Sequence, residues 1–86
     1  MKISVIGLGY LGATHAVAMA KLGHHVIGIE PDTSRLSALQ AGKLPFYEPG
    51  LNEALTEVLE AGQLSFQAAH DEKSATCEIH FLCVGT

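Results

Sequence analysis

The sequence is poor in basic side chains: five Lys and Arg stand against nine Asp and Glu, a formal net charge of −4 with His neutral. Such a chain lacks the basic footprint that neutralises nucleic-acid phosphates or holds an anionic lipid surface, so neither a nucleic-acid nor a membrane partner is expected. Long hydrophobic runs are missing too. The apolar stretches are interrupted by glycines and fall far short of the roughly 20 residues a membrane span requires. The run after Lys2 is likewise too broken for a secretory signal. Cysteine is scarce, with Cys77 and Cys83 the two present. There is no C-x-x-C and no Cys/His pairing at zinc spacing, so no metal site is expected. On a single strand the two thiols would share a face, too far apart to bridge. Free thiols fit a reducing cytoplasm.

What is present is a hydrophobic share of 48% with 16% charged residues, enough apolar material for one small folded domain within 86 residues. The stretch Ile3-Ser4-Val5-Ile6-Gly7-Leu8-Gly9-Tyr10-Leu11-Gly12 organises it. A β-branched run enters G-x-G-x-x-G directly, and an Ala-rich segment from Tyr10 to Leu22 follows with strong helix propensity. Gly23 suits a left-handed helix end. Val26 to Glu30 reads as a second strand, stopped by Pro31, and Asp32 as the N-cap of a helix that Gly42 ends. Residues 43–50 form a loop. Leu51, Ala54, Leu55, Val58 and Leu59 then share one helical face opposite Glu53, Glu57 and Glu60. Leu64 to Phe66 suits a short strand, 70–76 a short helix, and Glu78 to Val84 a final strand. Strands and helices alternate, which predicts an α/β fold: a Rossmann-type parallel sheet with flanking helices, ordered 3-2-1-4. This is the N-terminal half of a doubly wound domain. Residues 1–86 therefore read as an incomplete dinucleotide-binding domain of a longer enzyme.

The glycine turn supplies the chemistry. Gly7 makes the tight turn, Gly9 lets backbone N–H groups approach a pyrophosphate, and Gly12 allows close packing of helix on strand. Glu30 stands at the end of the second strand, eighteen residues after Gly12, near the spacing at which a carboxylate meets the adenosine ribose. It accepts hydrogen bonds from the 2′- and 3′-hydroxyls and repels a 2′-phosphate, which favours NAD over NADP. Arg35 pulls the other way, because a guanidinium can bind phosphate. FAD fits the same glycine pattern. The histidines carry no comparable signal. His24 and His25 suit a solvated turn, His15 the first helix, His80 a strand and His70 a helix start, with no metal-ligand spacing among them. Cys77 and Cys83 read as small hydrophobes.

Several motifs now stand in one order: M-K-I-S-V-I-G-L-G-Y-L-G, the strand-end acid, L-P-F-Y-E-P-G-L and F-L-C-V-G-T. Over its whole length the chain resembles the N-terminal NAD-binding part of the UDP-glucose/GDP-mannose dehydrogenase family. The resemblance implies a two-step oxidation of a sugar nucleotide, with UDP-glucose the expected substrate, to a carboxylate with two NAD reduced. GDP-mannose and UDP-N-acetylmannosamine are the alternatives, and a freestanding NAD-binding module is the non-catalytic one. It also implies that Gly7, Gly9, Tyr10, Leu11 and Gly12 form the pyrophosphate turn. Glu30 takes the place of the usual ribose-binding Asp, and Arg35 that of a Lys beside the ribose. Gly85 and Thr86 touch the cofactor from the end of the fourth strand. The catalytic cysteine and the sugar-nucleotide domain are expected beyond Thr86, so no catalytic residue is expected in residues 1–86, and the full-length enzyme is expected to be a homo-oligomer. One departure bears on the fold: Ala69 stands where relatives have an Asp, so the short helix is expected to lose its cap.

Overall fold

The computed structural model describes residues 1–44, 48–69 and 71–83, with the backbone alone at Lys73. Short apolar runs become strands because they are bounded by turns before they can support a helix. β1 (Lys2–Ile6), β2 (His25–Ile29), β3 (Leu64–Gln67) and β4 (Ile79–Leu82) form one parallel sheet in the order β3-β2-β1-β4. This matches the order expected from the alternation of elements. The parallel register aligns Ile3 with Val26 and Ile79, and Val5 with Gly28 and Phe81. It also sets Leu64 opposite Val26.

That register places Ile3, Val5, Val26 and Leu64 on one face, all buried. Over this face lie α1 (Tyr10–Lys21) and α3 (Leu51–Glu60), which also contact each other. Ala13, Ala16, Val17 and Ala20 are the buried residues of α1 beyond its glycine. Their small side chains let the helix axis approach the strands closely. From α3, Leu55 and Val58 are buried, as the helical spacing predicts. Both helices join the strands in a single core with Leu8 and Leu39. An exposed ion pair, Lys21 to Glu57 at 2.8 Å, also links α1 to α3. Pairs of this kind add little to stability. On the opposite face of the sheet Ser4 is buried, and its hydroxyl shares a hydrogen bond with His80 Nδ1 of the neighbouring strand.

Helix ends follow the local chemistry. Gly23 adopts φ +102° after α1, where its N–H donates to the Ala20 carbonyl at 3.0 Å. Asp32 caps α2 (Thr33–Gln40) by accepting from the Arg35 N–H at 3.0 Å. From the last residue of that helix, Gln40 Nε2 donates to the Phe66 carbonyl at 3.3 Å. The outer edge of β3 is thereby partly covered.

One expectation is corrected here. The last short helix, α4 (Glu72–Ala75), does not lose its cap through Ala69. Asp71 caps it instead, accepting from the Ser74 N–H at 3.0 Å, while the Ser74 hydroxyl accepts from the Asp71 N–H at 2.9 Å. The cap has moved two positions along the chain, to the residue that immediately precedes the helix. Asp71→Ala should therefore cost about 1 kcal/mol of stability in urea unfolding. Ala69→Asp should give no gain in the same measurement.

Candidate functional site

The carboxyl ends of the parallel strands converge on the turn that joins β1 to α1, the usual place for a ligand in an open α/β sheet. Gly7 starts the turn at φ +90°, a conformation that favours glycine, and its N–H donates to the Ile29 carbonyl at 2.9 Å. Leu8 points inward and is fully buried. A side chain at Gly28 would collide with it: a Cβ there would lie 2.9 Å from Leu8 Cδ1 and 2.7 Å from Phe66 Cδ1. Leu8 thus anchors the turn into the core through space that Gly28 leaves open.

Gly9 is the N-cap of α1 and offers no side-chain cap. The first N–H groups of any α-helix lack acceptors within it, so those of Leu11 and Gly12 belong to a positively polarised end. A Cβ at Gly9 would meet no atom within 4 Å. Gly12 is the reverse case. A Cβ there would sit 1.8 Å from the Gly7 carbonyl oxygen and 3.2 Å from Cys83 Cβ. The third glycine is required by the fold, whereas the second leaves open space beside a helix N-terminus. That space suits a pyrophosphate. Tyr10 and Leu11 are 50% and 75% exposed at the start of the helix.

Glu30 follows β2 directly and is 3% exposed. A buried carboxylate is costly unless its oxygens are hydrogen-bonded. Here Oε1 accepts from the Leu8 N–H at 2.9 Å and Oε2 from the Asp32 N–H at 3.0 Å. Arg35 Nη1 donates to Oε1 at 3.4 Å, so the guanidinium is turned onto the carboxylate. Ile6, Gly7, Leu8, Gly9, Glu30, Pro31, Arg35 and Cys83 together line a cleft of about 420 Å³. The structure therefore brings Gly7, Gly9, Glu30 and Arg35 to one cleft, with Tyr10, Leu11 and Gly12 on the adjoining helix turn. Gly85 and Thr86 lie outside the described residues, as do Tyr47 and His70. Leu8, Gly28 and Cys83 are contributors that the sequence reading did not assign. A glycine in the middle of β2 is the signal that a close approach occurs there.

The other candidates go elsewhere. His15 packs edge-on against Phe81, ring centroids 4.3 Å apart. No group of three or more His, Cys, Asp or Glu among the described residues could hold a metal. A second cavity of about 320 Å³ lies at the opposite, amino ends of the strands and includes Lys2, His25, Gln63 and Cys77. It has neither the glycine turn nor a helix N-terminus. Burial pushes the Cys77 thiol above its ordinary range, and the Lys2 charge offsets part of that. The unfolded chain therefore releases this proton first. Folding stability should be unaffected below the ordinary thiol value and fall as pH rises through the raised one. Urea midpoints between about pH 7 and 10 should show this decline, and Cys77→Ala should reduce it.

A β-strand, a glycine turn, a helix N-terminus and a buried strand-end acid at one cleft define a dinucleotide-binding domain of the α/β class. The profile of the UDP-glucose/GDP-mannose dehydrogenase family, NAD binding domain, matches residues 1–86, and the chain belongs to that family as its NAD-binding domain. It is 41% identical to UDP-glucose 6-dehydrogenase of Pseudomonas aeruginosa over 86 residues, all of this chain and 19% of the relative. Among solved structures, it resembles a UDP-glucose dehydrogenase from the archaeon Pyrobaculum islandicum with a TM-score of 0.90 and 46% identity, covering 99% of this chain and 20% of that one. A ternary complex of GDP-mannose dehydrogenase from Pseudomonas aeruginosa gives a TM-score of 0.93 at 36% identity, covering 100% of this chain and 20% of that one. The chain thus spans about a fifth of the length of the curated relatives it matches. Among the described residues, no helix is long and apolar enough to cross a membrane.

The two glycines separate in a direct test. Gly9→Ala should leave the unfolding midpoint close to the parent value and weaken NAD binding at least about tenfold, because its methyl group would enter the open space beside the helix N-terminus, which suits a pyrophosphate. Gly12→Ala should lower stability by several kcal/mol, about the scale of severe overpacking. Parallel urea unfolding and NAD titration distinguish the two.

Proposed function

We propose that residues 1–86 are the cofactor-binding part of a dehydrogenase that oxidises UDP-glucose to UDP-glucuronate, with two NAD reduced per substrate. The observation that carries this reading is the Glu30 carboxylate, buried beside the open space at Gly9. The Gly7–Gly12 turn would hold the pyrophosphate, through the Leu11 and Gly12 amides at the start of α1. Glu30 would accept the ribose hydroxyls, with Arg35 beside it, and Gly85 and Thr86 are proposed as further cofactor-binding residues. When bound, NAD supplies the hydride acceptor. This chain's residues bind and orient it, and the groups that act on the sugar belong to further parts of a longer, homo-oligomeric enzyme of the cytoplasm.

UDP-glucose is favoured as substrate by the relatives at 41% and 46% identity, both UDP-glucose dehydrogenases. Assays of the protein from its complete reading frame should yield two NADH per UDP-glucose, followed by absorbance. Turnover of GDP-mannose or UDP-N-acetylmannosamine in its place would reassign the substrate. NAD binding with no turnover of any of the three would favour a freestanding binding module.

The cofactor reading has its own test. Glu30→Ala should weaken NAD binding roughly 10- to 100-fold, the scale of hydrogen bonds to a charged group. It should also narrow the preference over NADP, because the anion that repels a 2′-phosphate is gone while Arg35 remains. Unchanged NAD affinity would remove Glu30 from the site.

A further inference from the structure

A turn rich in glycine has the greatest backbone freedom to lose, so a ligand that orders it binds more weakly unless the turn is held from outside. Two such ties come from the end of β2: the Ile29 carbonyl on the Gly7 N–H, and the Glu30 carboxylate on the Leu8 N–H. Both act on the strand side. The helix side, where Leu11 and Gly12 present their amides, has a different partner. Tyr10 is the first residue of α1, and its phenol O–H donates to Glu48 Oε2 at 3.3 Å. Glu48 lies in the segment that leads into α3, where its carbonyl accepts from the Leu51 N–H at 3.1 Å. Gly50 then enters α3 in the left-handed conformation, φ +81°. The position of Glu48 is thus tied to the start of α3.

We propose that Glu48 is a positioning residue for the cofactor site: through Tyr10 it fixes the first turn of α1, and so the pyrophosphate amides, against α3. The inference rests on the NAD-binding reading and extends it to a residue outside the cleft lining. Lys21 and Glu57 join the same two helices further along. The Tyr10–Glu48 bond therefore acts on the end of α1 that faces the ligand.

The experiment is a double-mutant cycle of Tyr10→Phe and Glu48→Ala in the protein from its complete reading frame. NAD dissociation constants, KM and kcat are measured together with unfolding temperature in the absence of cofactor. Each single change should weaken NAD binding about fivefold, the scale of one net hydrogen bond, and the double mutant should be no weaker than either. KM for NAD should rise while kcat stays nearly constant. Glu48→Gln keeps an acceptor oxygen and should recover most of the affinity. An unchanged dissociation constant in Tyr10→Phe, or losses that add in the double mutant, would overturn the proposal. So would a drop in unfolding temperature that accounts for the whole loss. A parent protein that binds no NAD would overturn the cofactor reading itself, and this inference with it.

Discussion

The close approach of Gly12 to the Gly7 carbonyl is the constraint from which the site follows. With 1.8 Å between that oxygen and any Cβ at position 12, no other residue allows α1 to start where it does. The small buried residues Ala13, Ala16, Val17 and Ala20 continue the same close approach along the helix. Because the helix begins just after the end of β1, its first turn adjoins the cleft at the carboxyl ends of the strands. Packing and the placement of the helix N-terminus are thus set by one contact, while a Cβ at the neighbouring Gly9 would meet only open space.

Glu30 extends this coupling across the sheet. Its carboxylate is held by the Leu8 and Asp32 amides and by Arg35, so it stabilises the turn while lining the same cleft as Gly9. Arg35 adds a second constraint. A guanidinium directed onto Glu30 has its charge offset, which reconciles a basic residue at the mouth of the cleft with a preference for NAD. The extra methylene of Glu relative to Asp is accommodated within this set of donors.

Much of this was legible from local sequence. Strand, turn and helix were signalled by Ile3 to Gly12, the α2 cap by Asp32, and the apolar face of α3 by Leu51, Ala54, Leu55, Val58 and Leu59. These features depend on neighbours a few residues apart, so one-dimensional spacing is enough to reveal them. The α4 cap is not legible in this way: Asp71, not position 69, caps the helix. The boundary of a four-residue helix decides whether residue 69 or residue 71 caps it, and so short a helix has no apolar period to fix that boundary.

The sequence by itself determined the class of fold, the order of the strands, the glycine turn and the acid that faces it. Each is written in residue type and spacing. Only the tertiary structure decided that Leu8 occupies the space left by Gly28, that Arg35 turns onto Glu30, and that Tyr10 meets Glu48. Gly28 lies on a different strand from Leu8, and thirty-eight residues separate Tyr10 from Glu48. Arg35 is close to Glu30 in sequence, but its direction depends on the burial of the carboxylate. Packing of distant elements brings these groups within reach, and no local pattern encodes the distances between them.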